Sequence, residues 1–275
     1  MPATDRAFEP VLPPQRILVP VDFSEPSLGA WALAQYLSRA VKAAVEAVFV
    51  YEPGAGSADP VIPADLLNEA RKKALEEELR GKLGKDVSIT IQEGFASEEI
   101  LGVASRGSGA DMIVMGTHGR TGAARVLLGS VAESLSRLSP VPLLTLRGSW
   151  KPVRSILAPV NFAPYALRGL ASAAKMAAAL GARLDVLYVG KPPSAADKKN
   201  FDKTAEAIAA SFSGRAPSLI IRGGHPVNEI VEASKAYDLV ILVAHRKSIL
   251  EDIVLGTTAE RVIRHSAVPV LSLPA

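Results

Sequence analysis

The chain has 275 residues, 48% hydrophobic and 21% charged, with a formal net charge of +3; this suits a globular protein with room for two cores. The absence of cysteine excludes disulfides, thiol catalysis and cysteine metal sites. A small, dispersed charge excess with 5% aromatics argues against a nucleic-acid partner, no apolar run reaches the ~20 residues of a bilayer span, and the N-terminus lacks the basic start and apolar stretch of a signal peptide, so the cytoplasm is the expected compartment.

Residues 1–14 are proline-bearing and aperiodic and read as an arm. A strand follows over Arg16–Val21. Ser24-Glu25-Pro26 opens a helix to about Val41, with proline suited to its first turn and Leu28, Trp31, Ala32, Gln35, Tyr36 and Arg39 at helical spacing. A second strand runs Val45–Tyr51, a Gly/Pro/Ser-rich loop fills 52–62, and Pro63–Leu83 reads as a helix with Leu66, Leu67, Ala70, Ala74, Leu75 and Leu79 on one side. Gly84 closes it. Val87, Ile89 and Ile91 alternate in a strand over Asp86–Gln92, the pattern of a sheet edge. Ser97–Arg106 is helical, Asp111–Met115 is a buried strand, a helix begins at Gly129, and Pro142–Arg147 is a fifth strand.

The pattern then repeats. Ile17-Leu18-Val19-Pro20-Val21-Asp22-Phe23 returns as Ile156-Leu157-Ala158-Pro159-Val160-Asn161-Phe162, and Gly129-Ser130 through Val141-Pro142 returns as Gly256-Thr257 through Val268-Pro269. Two fixed offsets held over such lengths mean two homologous domains: residues 15–147 and 154–275, with 148–153 as linker. Second-half strands are expected near 155–160, 184–189, 218–222, 238–243 and 269–273. Alternating strands and helices predict an α/β fold of two tandem doubly wound parallel sheets.

One motif stands out. After the strand ending at Met115 comes Gly116-Thr117-His118-Gly119-Arg120, and after nine intervening residues Gly119 is followed by Gly129-Ser130 at a helix start. Glycines admit an anion close to the backbone, and free N–H groups at a helix start point at it. The spacing resembles the ATP-binding signature of the universal stress protein family, and the duplication extends the resemblance over almost the whole chain. The resemblance implies a Rossmann-like, adenine nucleotide α-hydrolase-like fold with strand order 3-2-1-4-5. It also implies ATP with Mg²⁺ as ligand, a regulatory role in stress response, and a homodimer in which last strands pair. In this chain Val141–Leu146 and Val268–Leu273 would pair as a pseudo-dimer.

In such a sheet the ligand crevice lies beyond the carboxyl ends of strands one and four. That places Pro20, Val21 and Asp22 opposite Met115 and Gly116. Asp22 is an acceptor for adenine or ribose, or else a turn residue. Val50 and Met115 line an apolar adenine slot, or else simply the core. Gly116 and Gly119 let the loop fold on phosphates, or else form an ordinary turn, and His118 contributes its backbone in preference to acting as a general base, since no acidic partner is evident in the sequence. Arg120 and Arg125 could pair with phosphate or stay solvated. Ser130, beside Gly129 and Val131, donates a hydroxyl or caps the helix through the box Ser130-Val131-Ala132-Glu133.

The second copy departs from this: Asn161 for Asp22, Val243 for Gly116, Arg246 for Gly119. Valine is costly at the positive φ that glycine tolerates, so this half is expected to bind ATP weakly or not at all. Gly256-Thr257 would persist as a cap, with Thr257-Thr258-Ala259-Glu260 as a second capping box. A rival reading has Arg246, His245 and Lys247 binding a different anion. Gly54-Ala55-Gly56 and Gly223-Gly224-His225-Pro226 read as plain turns. No catalytic set is recognised and the four histidines lack metal spacing. The function expected is ATP-binding regulation, with slow ATP hydrolysis or a nucleotide-free scaffold as alternatives.

Overall fold

Ile17 and Val19 point to one side of the first strand and Leu18 to the other, and all three are buried. A strand apolar on both faces must be covered on both faces, which is the parallel α/β arrangement. In the computed structural model, residues 12–51, 64–106, 109–117, 128–212, 216–244 and 257–274 are described. The first half runs β1 (Arg16–Pro20), α1 (Glu25–Val41), β2 (Ala44–Tyr51), α2 (Ala64–Leu83), β3 (Ser88–Glu93), α3 (Ala96–Ser105), β4 (Met112–Gly116), α4 (Ser130–Leu138) and β5 (Leu143–Leu146). The second runs β6 (Ser155–Val160), α5 (Pro164–Leu180), β7 (Arg183–Val189), α6 (Ala195–Phe212), β8 (Ser218–Arg222), α7 (Pro226–Ser234), β9 (Leu239–Ala244), α8 (Thr257–His265) and β10 (Val270–Pro274). Every expected strand is present, with ends displaced by at most two residues.

All ten strands form one sheet, in the order β3-β2-β1-β4-β5-β10-β9-β6-β7-β8. Each half thus has the order 3-2-1-4-5, read from its outer edge inward to a shared seam. The seam is antiparallel, pairing Thr145 with Val270, Leu144 with Leu271 and Leu143 with Ser272, whereas the other ladders are parallel. The buried Thr145 hydroxyl reinforces it with a 3.2 Å bond to the Val270 carbonyl. The expected pseudo-dimer is therefore built within one chain. β3 lies at one outer edge, as its alternation suggests, and β8 at the other.

Two apolar layers cover the sheet, and each extends through both halves. One holds Leu33, Leu37 and Leu79 together with Leu170, Met176 and Phe201. The other holds Ile100 and Leu135 together with Ile230, Val262 and Ile263. The start of the linker region is pinned to the first layer: Trp150 lies 5.2 Å from the Tyr36 ring, and the Val153 N–H donates to the Tyr36 hydroxyl at 2.9 Å.

Two helical faces differ from expectation. On α1 the buried stripe is Ser27, Ala30, Trp31, Leu33, Ala34 and Leu37, while Ala32 and Arg39 are exposed. Small residues carry this face because the helix packs closely on β4. On α2, Leu75, Leu79 and Leu83 turn inward but Ala70 and Ala74 are exposed; the side chains of Leu66 and Leu67, like the loop with Gly54 and Gly56, lie outside the described residues. Gly84 does end α2, at φ +122°. The 223–226 turn is confirmed, with Gly224 at φ +111° and His225 as the N-cap of α7.

The same device starts both halves. Asp111 Oδ2 accepts the backbone N–H groups of Gln15 and Arg16, both at 2.9 Å. Asp238 Oδ2 accepts those of Arg154 and Ser155 at 3.0 Å, and the Ser155 hydroxyl at 2.8 Å. An aspartate at the foot of the fourth strand thus clamps the chain entering the first. Burial alone would raise the Asp238 pKa, but these hydrogen bonds outweigh it and hold it below its usual 3.8.

Candidate functional site

The turn after β1 sets one wall of the site. Ser24 is the N-cap of α1, its side chain accepting the Ser27 N–H, with Pro26 in the first turn. Asp22 Oδ1 accepts both the N–H and the hydroxyl of Ser24, at 3.1 and 2.5 Å, so the turn-residue reading of Asp22 holds. Between them Phe23 sits at φ 66°, a left-handed conformation that costs a bulky residue roughly 1–2 kcal/mol. Its ring is held 5.2 Å from Phe49 with the Lys82 ammonium 4.9 Å above it. Phe162 repeats the feature at φ 58°, stacked 4.6 Å from Tyr188. In both halves an anchored aromatic turns the backbone so that Asp22 or Asn161 stands at the strand end.

The opposite wall is the end of β4. Gly116 is the last residue of that strand and does not have a positive φ, which corrects the conformational reason given for it above. The reason is space: a Cβ there would lie 2.7 Å from the Pro26 carbonyl carbon and 2.8 Å from its Cβ and oxygen. Backbone meets backbone at this crossing. Thr117, buried, follows it and donates its N–H to Leu146 at 2.9 Å, and its carbonyl accepts the Gly129 N–H at 2.8 Å. The chain therefore leaves and re-enters the site at hydrogen-bonded neighbours. His118, Gly119, Arg120 and Arg125 fall outside the described residues.

At re-entry the N-cap of α4 is Gly129, with no side-chain cap, and the Glu133 N–H bonds to its carbonyl at 2.8 Å. Ser130 is the first helical residue, not the cap, so the expected capping box is out of register by one. Because Gly129 takes the first helical bond, the Ser130 hydroxyl is exposed rather than used for capping. α8 is described from Thr257, and the residue before it and the Thr257 side chain, on which the second expected box turns, lie outside the described residues.

These elements enclose a cavity of about 300 Å³ lined by Pro20, Val21, Asp22, Val50, Met115, Gly116, Gly129, Ser130 and Val131, within the size range of ligand clefts. Nine of the thirteen candidate residues thus meet at one place, and the other four are the undescribed His118, Gly119, Arg120 and Arg125. The lining also includes Ser27, Val48, Ala96, Ile100, Thr117 and Ala132, which the sequence reading did not single out. Ala96 and Ile100 share one face of α3 at i, i+4, a spacing that could have marked them once α3 was placed over β2 and beside α4.

The second half fills the corresponding crossing differently. Val243 stands where Gly116 does, and room for it comes from Gly169 on α5, where an added Cβ would overlap Val243 Cγ2. The small residue has moved from strand to helix. Asn161 keeps the turn, its Oδ1 accepting the Ala163 N–H at 3.2 Å.

A parallel α/β sheet with a glycine-bearing crevice at its switch point defines the Rossmann-like class of doubly wound folds. The Universal stress protein family model matches residues 14–147 and again 152–274, and the chain belongs to that family, as two tandem domains. It is 32% identical over 142 residues to a universal stress protein of Methanocaldococcus jannaschii, covering 48% of this chain and 82% of that one. It is 30% identical over 162 residues to the stress response protein NhaX of Bacillus subtilis, covering 48% and 97% respectively. The crystal structure of a universal stress protein from Archaeoglobus fulgidus superimposes over 94% of this chain and 98% of its own, with a TM-score of 0.75 at 22% identity. That likeness supports the tandem fold.

Proposed function

We propose that this chain is an adenine-nucleotide-binding regulator of the stress response that holds ATP, with its Mg²⁺, in the first half. The observation that carries the reading is the cavity between β1 and β4, where apolar, acidic and backbone-donor groups occupy separate walls. Adenine would lie against Val50, Met115, Val48 and Ile100. Asp22, with Pro20 and Val21 beside it, would accept from the nucleoside. The phosphates would run past Gly116 to the uncapped start of α4, where Gly129, Ser130 and Val131 present N–H groups and a hydroxyl. His118, Gly119 and Arg120 would complete the loop. Among the described residues no group of three His, Asp or Glu could hold a metal, so the ion would be held mainly by the phosphates.

The second half reads as a scaffold that holds no ATP. Val243 seated on Gly169 favours this, because a side chain fills the crossing where, in the first half, Gly116 and Pro26 bring backbone against backbone. Cytoplasmic residence and association of two chains into a homodimer belong to the same reading. With β5 and β10 already paired to each other, such a dimer would use another surface.

The test is calorimetric titration of the purified chain with ATP and Mg²⁺. One site per chain is expected. Two sites would sink the division between halves, and no binding would sink the nucleotide reading.

A further inference from the structure

The second half carries a cavity of its own, in the groove between α7 and α8. Its volume is about 490 Å³, and its wall includes His225, Asn228, Glu260, Arg261, Arg264 and His265 over the buried Val227. Glu260 is committed to Arg264, at 2.8 Å. Arg261 is exposed and has no ion pair among the described residues. His225 occupies the N-cap position of α7 but makes no side-chain cap bond. The groove is held firmly: the Arg147 guanidinium donates to the Arg264 carbonyl at 2.7 Å, tying the end of α8 to the first half.

The equivalent positions on α3 and α4 show what is particular to this groove. Glu133 and Arg137 correspond to Glu260 and Arg264. The rest differ: Phe95 becomes His225, Glu98 becomes Asn228, Ser134 becomes Arg261 and Leu138 becomes His265. Phe95 and Leu138 are 70% and 46% exposed, so the first-half groove is apolar at both ends. Its formal charge is −1, from Glu98, Glu133 and Arg137; that of the second is +1, from Glu260, Arg261 and Arg264, with both histidines taken as neutral. Three of these exchanges remove an apolar or acidic group, the fourth replaces the Ser134 hydroxyl by a guanidinium, and all four leave a group that can donate a hydrogen bond, while Ser97 becomes the buried Val227.

We propose that the α7–α8 groove binds a small phosphate-bearing molecule, with the exposed Arg261 as its guanidinium anchor and His225, His265 and Asn228 as further donors. A guanidinium fork matches two phosphate oxygens at once. The residues concerned are separate from the β1–β4 cavity, and the proposal does not depend on ATP binding there.

The experiment titrates the full chain with inorganic tripolyphosphate and follows the ring Cε1–H signals of its four histidines by proton–carbon NMR, assigned with single His→Gln variants. The His225 and His265 signals are expected to move together along one saturating curve. Arg261→Gln, at an exposed position with no ion pair among the described residues, is expected to weaken that curve about tenfold or more. Gly116→Val is expected to leave it unchanged. Shifts that rise without saturating, shifts indifferent to Arg261→Gln, or movement of His118 or His245 alone would overturn the site. Citrate giving an equally tight curve would overturn its assignment to phosphate.

Discussion

Gly116 and Val243 occupy one position in two copies of the same crossing, and each is matched by the helix that passes it. Gly116→Val lacks the matching change on α1, and its Cβ would press on the backbone of Pro26, which cannot give as a side chain could. The expected cost is about 1–3 kcal/mol of stability, with ATP binding weakened about tenfold or more, checked by denaturant unfolding and calorimetry; wild-type affinity would sink the account of this glycine. Asp238 allows a test by pH. Its folded pKa lies below the unfolded 3.8, so its contribution is complete above that value and is lost as pH falls through the folded pKa. Asp238→Asn is expected to lower stability by about 1–3 kcal/mol near neutral pH, with the gap closing as pH falls below about 4. A gap that stays constant down the acid limb of a urea-unfolding series would refute this.

At the scale of elements, the start of α4 separates fold from function. Ser130 is the first helical residue, and Gly129 before it has φ −62° and ψ 151°, a conformation that a following proline accepts. Ser130→Pro removes a hydroxyl and an N–H at the cavity, but the first helical position needs neither for the helix. Unfolding free energy is therefore expected to change by no more than about 0.5 kcal/mol while ATP affinity falls; equal loss of both would mean that the residue serves the helix. The order and type of elements were legible in the sequence because apolar runs and glycine or proline breaks alternate along it without ambiguity. The nine candidates that line the β1–β4 cavity were legible because they stand at strand ends and a helix start, places that topology brings together. What could not be read were relations between elements. The buried face of α1 depends on its close approach to β4, which no periodicity records. The need for glycine at 116 comes from Pro26, ninety positions away. The helix register at Ser130 turned on which carbonyl took the first bond.

For the molecule as a whole, two family domains do not mean two folding units. Both apolar layers run through the seam, with Leu144 and Leu146 sharing one layer with Leu271 and Leu273. Scanning calorimetry is expected to show a single transition with equal calorimetric and van't Hoff enthalpies; two resolved transitions would show that the seam is weaker than either half. The internal seam also bears on how the halves can change. Were β5 and β10 on separate identical chains, every substitution would appear twice in the assembly, and dilution would part the halves. Here the tether holds the partner strand at an effective concentration in the millimolar range or above, whatever the amount of protein in the cell. Covalent joining thus releases each half from symmetry: a valine could enter one crossing and two histidines one groove while the opposite copy kept its glycine, its phenylalanine and its leucine.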